Sequence, residues 1–142
     1  MSLADHVDGI VHEPTQTGGG GVDLTVAAVV RVAEPGRVDF GGGELEPAEL
    51  EAVETERRNP GDDYGWWQLE AGQYLVEYNE SLSAPDDVTP VLQTRRELLA
   101  RGAFHPTLHV DSLDVIPLSV GGAGLRLKEN VRVSTLLAPG AD

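Results

Sequence analysis

The sequence predicts an all-β domain, a sandwich or barrel of short strands. Two observations predict it. Short runs rich in β-branched and apolar residues recur along the chain, and Gly- and Pro-containing turn signals separate them. The 142 residues fit a single domain with its own core, with no internal repeat and no heptad pattern.

The elements follow in order. Residues 1–21 end in a polar stretch, Glu13 to Gly21, with four consecutive glycines, and are expected to form a flexible segment ahead of one β domain over 22–138. Residues 22–33 are rich in β-branched side chains and read as a strand, with Pro35-Gly36 as the following turn. Arg37 to Phe40 alternates as a second strand that Gly41-Gly42-Gly43 stops. Residues 44–58 are ambiguous: Pro47 and the run Ala48 to Arg58 favour a helix by propensity, yet no apolar face supports it. Asn59 to Asp63 is a turn cluster.

Trp66 to Leu69 and Gln73 to Tyr78 read as strands around Glu70-Ala71-Gly72. Val88 to Gln93 is a further strand, and Arg95 to Arg101 forms one short helix with Gly102 as its C-cap. Short strands then cover 107–110, 115–120, 125–127 and 131–137. Gly121, Gly122 and Gly124 lack the Lys-Ser/Thr ending and the helix of a phosphate loop, so they read as a hairpin turn.

Composition narrows the function. Asp and Glu number 24 against 10 Lys and Arg, a net charge of −14, and the single lysine is Lys128. Such a surface suits strong salt, where screening removes self-repulsion, and equally suits an ordinary acidic protein. Nucleic acid is a poor partner, because phosphate binding needs clustered cations. Arg95, Arg96 and Arg101 stand out as a local cluster in a cation-poor chain. No apolar run is long enough for a membrane, the N-terminus lacks a signal-peptide pattern, and cysteine is absent. These features point to a cytoplasmic protein without disulfides or thiolate chemistry.

Several segments resemble the dUTPase / dCTP deaminase family, including its archaeal dUTPases. Gly21-Val22-Asp23-Leu24 matches the family's opening strand. Leu69 to Pro85 follows a longer motif almost position by position, with Ala71 in place of a proline and with Gly72 and Glu80 retained. Thr94 to Gly102 resembles the phosphate motif "P-R-S-S-L-x-R-x-G", but Arg96 and Glu97 replace its two serines. Thr107-Leu108-His109-Val110-Asp111 resembles the stretch whose aspartate orients the attacking water in dUTPases. Glu129 to Leu137 resembles the last strand, with Thr135 where glutamine is usual, and Ala138 to Asp142 stand in place of a Gly-rich aromatic arm.

The resemblance implies a distorted, jelly-roll-like β-barrel and a homotrimer with sites between subunits. It implies hydrolysis of dUTP to dUMP and pyrophosphate with Mg²⁺. In that reading Asp111 orients water, Arg95, Arg96 and Arg101 hold phosphates, and Asp23 sits in the metal shell. A paired guanidinium fork suits phosphate oxygens, and a carboxylate suits either a hard cation or a water. Each residue also has a structural alternative: Asp23 satisfying neighbouring donors, Arg95 and Arg96 a solvated face, Arg101 a helix-end cation. The altered motifs leave open a family paralogue that binds a deoxynucleoside triphosphate, dUTP or dCTP, without turnover. Deamination of dCTP is disfavoured. His105-Pro106-Thr107 resembles the deaminase stretch, yet Val115 to Val120 contains no glutamate. His105 and His109 lie four apart on a strand, about 13 Å from each other, too far to share a metal. Tyr64, Trp66 and Trp67 are expected to serve packing rather than ligand stacking.

Overall fold

The computed structural model describes residues 2–139, so the end of the segment 138–142 lies outside the described residues. Strands take 42% of it and helices 9%, which makes the fold all-β. The strands of the main sheet are β2 (Val22–Glu34), β3 (Glu49–Ala52), β5 (Gly72–Tyr78), β7 (Val91–Thr94), β8 (Ala103–Phe104), β9 (Leu108–His109), β10 (Ile116–Val120) and β12 (Arg132–Leu137). They run in the order β8-β10-β5-β2-β12-β7-β9, with β3 added to β2. Two small antiparallel pairs complete the architecture. One joins β1 (Val7–Asp8) to β6 (Ser81–Leu82), and the other joins β4 (Trp66–Leu69) to β11 (Leu125–Lys128).

The 13-residue β2 is the spine of the curled sheet. Its first part pairs with β12, from Val22↔Leu136 to Thr25↔Arg132. A register shift between Val26 and Ala28 then hands it to β5. Such a bulge bends a strand and raises its twist, which curls a sheet toward a half-barrel. Alternating side chains from these strands fill the interior: Leu24, Val26, Val76, Leu92, Leu118, Val133 and Leu136 are essentially excluded from solvent. Gly21 precedes β2 because a side chain there would run into the Leu136 carbonyl and the Leu137 side chain.

The last part of β2 leaves this core. From Arg31 to Glu34 every residue is exposed, and so is all of its partner β3. The loop between them carries Val38, Phe40 and Leu45 in solvent. Residues 44–58 are therefore extended rather than helical. The open backbone edge of β2 offers hydrogen bonds that outweigh helix propensity in a segment without an apolar face. The second strand expected at Arg37 to Phe40 reduces to one bridge, Arg37↔Glu46.

The amino-terminal segment also departs from expectation. Residues 1–21 were expected to be flexible, but they include a 3₁₀ turn at Leu3–His6, β1, and a helical turn, α1 (Glu13–Gln16). Gln16 is buried, and its amide bonds to the Asp23 carbonyl at 2.9 Å and to Glu80 at 2.8 Å. Glu80, itself only 4% exposed, also accepts from the Thr25 amide at 2.9 Å and the Thr25 hydroxyl at 2.5 Å. A buried carboxylate needs such donors, and here they fasten the segment to the spine. The expected helix appears as α2 (Arg96–Leu99), and Gly102 closes it at φ +80°, a left-handed conformation that glycine adopts without a Cβ penalty.

Candidate functional site

The β2–β12 seam places Asp23 opposite Thr135 and Thr25 opposite Arg132. Asp23 Oδ2 accepts from Arg132 Nη1 at 2.9 Å and lies 3.3 Å from Arg95 Nη1. Its Oδ1 accepts from the Thr135 hydroxyl at 2.8 Å. Arg95 is held from its backbone as well, since its amide donates to the Val133 carbonyl at 3.0 Å. Its Nη2 lies 3.2 Å from the exposed carboxylate of Glu97. Two guanidinium groups thus meet on one carboxylate, with Arg95 only 16% exposed. Each fork has more donors than this pairing uses, which leaves N–H groups for a further anion.

Both oxygens of Asp23 accept hydrogen bonds, so Asp23 organises Arg95 and Arg132 at this seam. Among the described residues no three His, Cys, Asp or Glu side chains gather as a metal cage. Arg101 is spent locally: its Nη1 donates to the Glu97 carbonyl at 3.0 Å, at the end of α2. Arg96 is exposed and has no partner among the described residues. Glu97 has its carboxyl held below the usual range by a hydrogen bond from its own backbone amide and, next, by Arg95.

Asp111 does not join this cluster. It is exposed in the bend after β9, level with Pro90, whose carbonyl accepts from Val110 at 3.0 Å. Arg95 follows the opposite end of β7, five residues from Pro90, or about 17 Å along a strand. Asp111 and Arg95 therefore lie at opposite ends of the β7–β9 pair.

Beneath the seam lies a polar chain that sequence reasoning missed. His105 is 3% exposed, with Nδ1 2.8 Å from the Pro106 carbonyl and Nε2 2.7 Å from Ser134 Oγ. A carbonyl only accepts, so Nδ1 carries the proton and Nε2 accepts from Ser134. Tyr78 then donates to Ser134 Oγ at 2.6 Å. Burial lowers the His105 pKa and raises the Tyr78 pKa to about 12. Trp67 belongs to the core, as its packing role requires, while Trp66 carries Arg58 4.4 Å above its ring.

A curled antiparallel half-barrel with a carboxylate-organised arginine pair at its central seam defines the class of this all-β protein. No family model matches the chain. A probable deoxyuridine 5'-triphosphate nucleotidohydrolase of Methanosarcina acetivorans is 28% identical over 128 residues, 87% of this chain and 71% of that protein. Its counterpart in Methanococcoides burtonii is 26% identical and covers 92% of this chain and 76% of its own length. The one in Halobacterium salinarum is 30% identical over 100 residues, 68% of this chain and 56% of its own length. Among solved structures, the 2'-deoxycytidine 5'-triphosphate deaminase of Agrobacterium tumefaciens shares the fold, with a TM-score of 0.61 at 14% identity. The match covers 94% of this chain and 43% of that one. In sequence and in fold the chain is thus similar to members of the dUTPase / dCTP deaminase family.

Proposed function

We propose that the protein hydrolyses dUTP to dUMP and pyrophosphate. The observation that carries this reading is the meeting of Arg95 and Arg132 on Asp23, in a chain similar to probable deoxyuridine 5'-triphosphate nucleotidohydrolases. In the reaction a water oxygen bonds to the α-phosphorus and the bond to the bridging oxygen of the β-phosphate breaks. The electron pair leaves with pyrophosphate. Arg95 and Arg132, with the exposed Arg96 at the rim, offset the charge on the phosphates. Mg²⁺ would enter with the nucleotide and neutralise phosphate charge, since no cage of three acidic, His or Cys side chains gathers among the described residues. Asp111 orients the attacking water from a second copy, because its own Arg95 lies at the opposite end of the β7–β9 pair. A homotrimer with shared sites satisfies this geometry.

No helix among the described residues is long and apolar enough to cross a membrane, and the cytoplasm suits a deoxynucleotide hydrolase. A second reading is a paralogue that binds the nucleotide without turnover. It is favoured by Arg96 and Glu97 standing where the family motif has serines, and by Thr135 in place of glutamine. Deamination is weaker, because β10 contributes no carboxylate near His105.

Pyrophosphate release from dUTP and dCTP, measured with Mg²⁺ at high salt, separates these readings. Release from dUTP is expected. A nucleotide-dependent rise in melting temperature without release would move the assignment to the binding paralogue. Asp111→Asn should lower kcat by about 100-fold or more, the range of a lost general base. Unchanged turnover would remove Asp111 from the water-orienting role.

A further inference from the structure

The seam of β7, β12 and β2 carries two rows of side chains. Gln93, Thr135 and Asp23 stand in one row toward the outside, and Thr94, Ser134 and Leu24 stand one residue further along, facing inward. His105 lies beneath the inner row. It follows β8, at one edge of the curled sheet, whereas β7 and β9 make the other edge. β8 pairs with β10 and β9 pairs with β7, and among the described residues no ladder joins the two edges. His105 joins them instead. Its amide donates to Thr94 Oγ1 at 3.0 Å, and that hydroxyl donates back to the His105 carbonyl at 3.1 Å. Thr94 ends β7 and immediately precedes Arg95. The ring reaches the next strand, where Nε2 accepts from Ser134 Oγ at 2.7 Å. Ser134 immediately precedes Thr135, whose hydroxyl holds Asp23.

One residue thus holds the neighbours of Arg95 and of Thr135 at once, by its backbone on one side and its ring on the other. The link is buried, and each of its polar atoms has a partner. A fully satisfied buried network fixes one arrangement of the strands that carry it. We infer that His105 is a positioning residue: it sets β7 against β12 from below and so aims Arg95 and Asp23, which meet in the outer row. Arg132 lies on the same β12 strand and shares this support. Such support matters because a misplacement of about 1 Å can cost about 100-fold in rate. The inference rests on the hydrolase reading above for what the arginine pair binds, but the link itself involves no nucleotide.

The test uses the full chain and four variants. His105→Leu removes the acceptor of Ser134, and His105→Gln offers a carbonyl oxygen in its place. Ser134→Ala removes the hydroxyl alone and carries the test if His105→Leu does not fold. Leu127→Ala, a core truncation in the separate β4–β11 pair, controls for general loss of stability. The first readout needs no ligand: solvent exchange of the Arg95 and Arg132 Nε–H groups, followed by NMR. Exchange should speed up about tenfold in His105→Leu and Ser134→Ala and stay near the parent in His105→Gln and Leu127→Ala. The second is pyrophosphate release from dUTP with Mg²⁺, where kcat/KM should fall about tenfold or more in the same two variants. Unchanged arginine exchange in His105→Leu and Ser134→Ala overturns the positioning role. So does an equal rise in Leu127→Ala, or a His105→Gln that behaves as His105→Leu does. The arginine response in a protein that leaves dUTP intact would keep the positioning role and discard the hydrolase. Hydrolysis of dUTP with the parent kcat/KM in His105→Leu and Ser134→Ala would do the reverse.

Discussion

Asp23 Oδ2 is shared by Arg132 and Arg95, so an amide at this position would leave two guanidinium groups facing each other without the charge between them. Asp23→Asn should cost about 2 kcal/mol of stability, between the value of a surface pair and that of a fully buried one, and urea unfolding will read it. It should also weaken phosphate binding, because Arg95 loses its anchor. The buried His105 sets a pH limit of a different kind. Its folded pKa lies below the unfolded value of about 6.5. As pH falls through that value the unfolded chain binds a proton that the folded chain refuses, so stability declines toward acid. Tyr78 acts at the other end: between pH 10 and about 12 only the folded chain keeps its proton, and stability declines as pH rises. Unfolding midpoints from pH 5.5 to 11 should form a plateau with two falling limbs, the acid one flattened in His105→Asn. Arg95 was legible in the sequence because cations are scarce and three cluster. Arg132 was not, because a lone arginine in an alternating strand looks like a solvated side chain until Asp23 is placed opposite it.

The elements were legible where an apolar period was strong, as in β2, β5, β10 and β12. Two segments misled. Residues 44–58 have the composition of a helix, but the free edge of β2 decided their conformation. The glycine run before β2 suggests mobility, yet the residue that anchors this stretch is Gln16, which is polar and gives no hydrophobic signal. Gln16→Ala removes the donor to Glu80 and the acceptor of two backbone amides. The loss should reach about 2–3 kcal/mol, because buried Glu80 loses one of its three donors while two backbone amides lose their acceptor, and thermal unfolding is the direct measurement. Glu80 sits inside the longest stretch of family resemblance, so its importance was visible even though its partners were not.

At the scale of the whole molecule, the separation of Asp111 from Arg95 has the largest consequence. Sequence order gave both residues but no distance, since the antiparallel β7–β9 pair carries them to opposite ends. If sites form between copies, Asp111→Asn and Arg95→Met should each be inactive alone. Mixed and reassembled, they should regain a measurable fraction of activity, because some sites then draw intact groups from both parents. Mixtures that stay dead, while each variant still assembles, would place every reacting group within one chain.

The ribbon formed by the end of β2 and β3 has a separate implication. Its residues Arg31–Glu34 and Glu49–Ala52 stand outside the core, and Phe40 in its loop touches nothing that excludes water. A break or an added sequence within 38–45 would disturb no interior side chain. That loop is the natural grafting point of this scaffold, the place where length can vary or a reporter can be inserted while the barrel and its seam remain as they are.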